Sequence, residues 1–345
     1  MKKPVIKTKI AQSVLAIMIA GGAASSQAST NLRLAHFWPT ESMINQEIFE
    51  AWAKAVEEES GGEIDVQNFP SDTLTKSNKA YQGAVQGVSD IAITAQGYTA
   101  GRFPLTQLVE LPGMVNSAEQ GSCMVQTLYD QGTIADEYGD SHVLFLFTHG
   151  PGILHMKDSS VVTPNDLGGL RVRRPTSVVG GMLEEMGAQP IGMPMPEVYT
   201  ALQRGVMDGL TTSWEGVKVF GLNDVVTSHT QVPLYTLTFV ATMNKRTYER
   251  LSPEARAAID NNSGMMWADV AGNVFDQIDQ AGKEDATELG HQINVVSDPQ
   301  NDPEWSDFME SGVASYLAHL KKIGVENVDS AYSDVLEAKE KCASL

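Results

Sequence analysis

The stretch Asp166–Trp214, DLGGLRVRRPTSVVGGMLEEMGAQPIGMPMPEVYTALQRGVMDGLTTSW, decides the fold. Leu170 and Val172 alternate with Arg171 and Arg173, the period of a strand that turns its apolar pair to packed neighbours and its arginines to the other face. Pro175 ends that strand. Ser177 is placed to cap a helix whose inner face is Val178, Met182 and Met186, and Gly187 to terminate it. Pro196 and Glu197 open a second helix, which buries Val198 and Leu202 and stops at Gly205. Strand, helix, strand, helix, strand in one short stretch predicts parallel α/β winding, whose ligands sit at the carboxyl ends of strands. Arg173, Thr212 and Trp214 all fall near such ends.

The same residues resemble the solute-binding proteins of tripartite ATP-independent periplasmic (TRAP) transporters, the DctP-type family. The resemblance is carried by the strand Asp166 to Arg173, the turn Gly187-Ala-Gln-Pro190, and the helix and strand from Glu197 to Gly209. It implies an α/β, two-domain periplasmic-binding-protein fold with a ligand cleft between the domains and two hinge-crossing strands. It also implies that Arg173 fixes a substrate carboxylate, with Gln96 and Tyr98 from the first domain and Thr176, Met195 and Thr212 from the second around it. Trp214 and Glu215 follow Thr212 closely, and His36, Phe37 and Trp38 lie after the first strand, where the family's pocket also draws residues. A guanidinium suits the task because it stays charged and holds a carboxylate by two parallel hydrogen bonds. Two departures bear on the ligand. Thr212 stands where many members have asparagine, and Ile153 follows Gly150-Pro-Gly152 where the sialate-binding branch is basic. Both remove polar anchors, so the expected ligand is a small monocarboxylate with an apolar, aromatic or onium tail. An onium tail would suit Trp and Tyr faces, with Glu215 assisting.

Lys2, Lys3, Lys7 and Lys9, the apolar run Val14 to Ala20 and Ser26-Gln-Ala28 read as a signal peptide over residues 1–28, so the mature chain is expected in the periplasm. A formal charge of −19 speaks against nucleic acid as a partner, and an acidic protein that binds an acid must build a local positive site. The sequence holds two cysteines, Cys123 and Cys342, which either pair, tying the C-terminal helix to the first domain, or remain separate thiols. No His-Glu-x-x-His, Gly-x-Ser-x-Gly or Walker-type phosphate loop occurs, so no catalytic residue, metal or cofactor is expected. The resemblance implies small and large integral membrane subunits as partners of a monomeric receptor. A sensory receptor of the same fold is the alternative reading.

An internal echo supports two related domains. Tyr81, Gly87, Val88, Asp90 and Thr94 recur as Tyr199, Gly205, Val206, Asp208 and Thr212 at a constant spacing. The apolar run Val143 to His149 leading into Ile153–Met156, and the extended run Val232 to Asn244, are the expected hinge crossings. The domains are then expected as 29–150 plus 236–277 and 151–235 plus 278–345. Ser252 and Pro253 begin what the apolar spacing predicts as one long helix through Met265, Trp267 and Ile278.

Overall fold

The computed structural model describes Met1 and residues 29–343; residues 2–28, which carry the expected leader, lie outside them. In chain order the strands are β1 Thr30–Ala35, β2 Ile64–Phe69, β3 Ile91–Ala95, β4 His142–Thr148, β5 Gly152–Met156, β6 Arg171–Arg174, β7 Gln189–Gly192, β8 Gly209–Thr212, β9 Ser228–Tyr235, β10 Thr238–Met243 and β11 Gln292–Val295. They form two sheets, ordered β2-β1-β3-β10-β4 and β7-β6-β8-β5-β9-β11. In each, three parallel strands are followed by an antiparallel one: β10 runs against β3 and β4, and β5 against β8 and β9. The two sheets therefore repeat one five-strand pattern, to which β11 is added at the edge of the second.

The antiparallel strand of each sheet is supplied from the other half. β4 leaves the first sheet and, after three residues, enters the second as β5; β9 leaves the second and, after two, enters the first as β10. These are the two hinge crossings. Main-chain bonds tie them side by side: the His149 amide donates to the Leu237 carbonyl at 3.3 Å, and the Thr236 hydroxyl donates to the His149 carbonyl at 2.6 Å.

The echo has a structural counterpart. At the start of β3, Arg33 donates through its amide and Nε to Asp90 and through Nη2 to the Gly87 carbonyl. At the start of β8, Arg171 makes the same set of bonds to Asp208 and the Gly205 carbonyl. Arg171 is thus a local clasp on the outer end of the sheet, two residues and one pleat from the buried Arg173.

The long helix Met265–Glu288 lies across both halves, packing on helix Ala118–Asp130 of the first and helix Trp214–Val219 of the second. Asp276 accepts from the Ala118 and Glu119 amides at 2.7 and 2.9 Å, and Asp279 accepts from the Glu215 amide at 2.8 Å. One helix thus caps the N-terminus of a helix in each half, where a carboxylate suits the dipole. An aromatic cluster fills the same seam. Trp38, Phe147, Phe239 and Phe275, from the end of β1, from β4, from β10 and from the long helix, have centroids 5.1–6.5 Å apart.

Three expectations are corrected. The apolar spacing from Ser252 predicts one helix, but the chain forms Pro253–Asn261 and Met265–Glu288 with a break at Gly264, whose φ is 72°. The break turns the Asn262 carbonyl outward to accept the Trp52 indole N–H at 2.8 Å. The expected boundary at 277/278 falls inside the long helix. The C-terminal helix Val328–Lys341, expected with the second domain, packs instead on Ala118–Asp130 of the first. Its buried stripe, Val328, Ala331, Val335 and Ala338, joins the cluster around Met124 and Leu128, and Cys342 is disulfide-bonded to Cys123. Among the described residues no helix is long and apolar enough to cross a membrane.

The bond closes a loop of 219 residues, for which chain entropy gives a stabilisation of about 5 kcal/mol. Cys342→Ser, or reduction of the wild type, should lower the unfolding midpoint accordingly. Equal midpoints for oxidised and reduced protein would show that the bond contributes nothing to stability.

Candidate functional site

The carboxyl ends of β1, β6 and β8 and the two crossings line a small cavity of about 20 Å³. Arg173, third residue of β6, is 1% exposed. Its Nε donates to the Met193 carbonyl at 3.0 Å, Nη1 to the Thr211 carbonyl at 3.0 Å and Nη2 to the Tyr98 hydroxyl at 3.2 Å. A guanidinium has five N–H groups, so one remains on each terminal nitrogen, and no carboxylate of the described residues forms an ion pair with them. The three partners orient the group without neutralising it. Two N–H groups of a buried cation are thus left able to meet an anion.

Tyr98 reaches this arginine from the other half. Its hydroxyl oxygen also accepts from the Met195 amide at 3.1 Å, so both bonds use the oxygen as acceptor and its own proton is left to donate. Burial raises the Tyr98 pKa, opposed by the Arg173 charge, which keeps the phenol protonated. The aromatic walls are Phe37, stacked on Trp38 at 3.9 Å between centroids, with Phe220 and Phe239.

Glu215 also faces the cavity. Its Oε2 accepts from the Ser213 hydroxyl at 3.1 Å, while Oε1 has no partner. Burial, with Asp279 behind it, pushes this carboxyl up to about 8, against the weaker pull of Ser213 and Trp38, so it is uncharged at neutral pH. His149 at the hinge is held neutral too, its pKa lowered to about 4 by burial and the Arg173 charge.

Of the nine residues expected here, Phe37, Tyr98, Arg173, Met195, Thr212 and Glu215 line the cavity. Trp214, Gln96 and Thr176 do not. As first residue of its helix, Trp214 points its ring to the back of the second sheet, against Ile153, Ala286, His155 and His229. Gln96 turns into the first half, donating to the Tyr138 hydroxyl at 2.7 Å. Thr176, rather than Ser177, is the helix cap, accepting from the Val179 amide. Its methyl packs so tightly on Gly97 of the other half that a Cβ there would lie 2.2 Å from it. Sequence reasoning missed His149, Phe220, Leu237 and Phe239 as lining residues. Three of these sit in or beside the crossings, so recognising a hinge that doubles as a cavity wall would have found them.

A family model described as bacterial extracellular solute-binding protein, family 7 (DctP), matches residues 34–319. A TRAP solute-binding protein of Rhodoferax ferrireducens, solved with copurified benzoate, is 33% identical with a TM-score of 0.86, covering 92% of this chain and 99% of that one. A marine metagenome TRAP solute-binding protein specific for aromatic acid ligands, solved with 3-hydroxybenzoate, is 33% identical with a TM-score of 0.85, covering 91% and 98%. The protein TsaT of Comamonas testosteroni, named an outer membrane transporter protein, is 26% identical over 292 residues, 82% of this chain and 85% of that one.

The neutral Glu215 has a consequence for stability. In the unfolded chain a glutamate ionises at about 4.3, whereas the buried carboxyl keeps its proton to about 8. The folded state therefore loses stability as pH rises between those values and no more beyond them. Glu215→Gln, neutral at every pH, should gain stability over the wild type progressively from pH 5 to pH 8 in thermal melts. A gap independent of pH would mean that Glu215 is ionised in the fold.

Proposed function

This chain belongs to family 7 of the bacterial extracellular solute-binding proteins, the DctP family, and from that membership we propose that it captures a small aromatic monocarboxylate in the periplasm. It then delivers this ligand to the small and large membrane subunits of a TRAP transporter. The observation that carries the ligand assignment is Arg173, buried, unpaired, and left with one N–H on each terminal nitrogen. A carboxylate meets those two groups as a fork, each charge-assisted bond worth roughly 1.5–3 kcal/mol.

Charge counting supports one negative charge. Among the described residues, Arg173 is the one lysine or arginine lining the cavity, and His149 and Glu215 are neutral there. A second carboxylate would be buried without a counter-charge, and an onium tail would find no anion in Glu215. An aromatic tail fits walls made of Phe37, Trp38, Phe220 and Phe239. The benzoate and 3-hydroxybenzoate carried by the two similar proteins point the same way. Closing the two halves over the ligand excludes water and strengthens the arginine contact, and gives the transporter a loaded surface to recognise.

Titration calorimetry tests this. The wild type should bind benzoate and leave glucuronate unbound, and Arg173→Lys, which loses the planar fork, should weaken benzoate roughly ten- to hundredfold. Equal affinity in the variant would remove Arg173 from the site, and glucuronate binding without benzoate binding would remove the aromatic assignment.

A further inference from the structure

Two polar atoms of the cavity residues are buried without a partner, Glu215 Oε1 and His149 Nε2. An uncharged carboxyl can donate or accept, so Glu215 places little constraint on what it meets. His149 is more restrictive. Its Nδ1 is bonded to the Gly150 carbonyl, and a carbonyl can only accept, so the ring proton sits on Nδ1. In a neutral imidazole the other nitrogen then holds only a lone pair. No donor of the described residues bonds it: the Tyr235 hydroxyl, from the ring 5.6 Å away between centroids, is itself without a partner.

The position is fixed firmly. His149 is the residue at which β4 leaves the first sheet, its amide and carbonyl are both bonded to the other crossing, and its ring stands edge-on to Phe239 in the cavity wall. An acceptor that rigid, left unpartnered on a residue that lines the cavity, is a request for a donor. The carboxylate end of the ligand cannot supply one.

Building on the aromatic-acid reading, we propose that His149 Nε2 accepts a hydrogen bond from a hydroxyl on the ligand's ring, so that the preferred ligand is a hydroxylated aromatic acid. His149 is then the specificity-determining residue, as Arg173 is the anchoring one. Because His149 belongs to the crossing, the ligand would bind the moving parts of the hinge at one end and the second sheet at the other.

The test compares benzoate with 2-, 3- and 4-hydroxybenzoate and the matched methoxybenzoates, which fill similar space but bring no donor. In the wild type, at one ring position, the hydroxyl compound should bind at least tenfold tighter than both its methoxy partner and benzoate. His149→Phe should erase that ratio, and His149→Gln, whose amide oxygen still accepts, should retain part of it. Nitrogen NMR of the histidine-labelled wild type gives a readout independent of any variant. The His149 Nε2 resonance should move toward the bonded-acceptor range with the hydroxyl compound and not with the methoxy one. Benzoate binding with no hydroxyl preference at any position, a preference that survives in His149→Phe, or an unmoved resonance would each overturn the proposal while leaving the aromatic-acid reading in place. Failure of every aromatic acid to bind would overturn both.

Discussion

A guanidinium taken out of water is costly unless its charge is met, and the surroundings of Arg173 are arranged around that constraint. Two carbonyls and a phenol hold three of its N–H groups, which fixes orientation but supplies no negative charge. The acids nearby are disposed so as not to supply it either. Glu215 is kept protonated by burial, while Asp276 and Asp279 are spent on helix N-termini. In a chain of net charge −19 this is a specific arrangement: anionic groups are plentiful, and none of the described ones pairs with the buried cation.

The repeated sheet pattern explains how such a site can open. Each half has its own parallel core, and the halves exchange one strand each, so two short passages of chain lie side by side in the cavity wall. The long helix adds a third link by capping one helix in each half through two aspartates three residues apart. Because Asp279 caps the helix that carries Glu215, movement of that helix is coupled to the placement of a cavity group. Cys123–Cys342 ties the C-terminal helix to the first half and leaves the cleft untouched.

Local periodicity made much of this legible. The alternation around Arg173 and the glycine stops are short-range features, and the winding follows from them, whereas the choice of Arg173 as the anchor comes from the family resemblance. What failed was direction. Trp214 lies at a strand's carboxyl end, as its position suggested, but the first residue of a helix aims its side chain by the helix phase, here toward Ile153 and His155. Gln96 and Thr176 sit at the right level of the fold and spend their polar groups on Tyr138 and on a cap. Partners distant in sequence made those choices. The same holds for the C-terminal helix, whose apolar stripe is readable but whose docking face is decided by the cluster around Leu128. His149 reads as the end of an apolar strand, and only the neighbouring crossing makes it a cavity wall.

The proposed function requires closure to be favourable only with ligand present, and the contacts across the cleft suit that requirement. Tyr98 of the first half is bonded to Arg173 and to the Met195 amide of the second, while Gly97 meets Thr176 with no space to spare. Shutting the empty cleft makes these contacts but strips water from a cation that two carbonyls and a phenol do not neutralise. On the function proposed above, shutting it on a monocarboxylate would make the same contacts and complete the charge. The ligand's preference for the closed state would then be the difference between a compensated and an uncompensated buried arginine, worth several kcal/mol on the scale of a broken buried ion pair, about 3–5. A preference of that size moves a closing equilibrium by more than a hundredfold. The cross-cleft contacts themselves need only be weak.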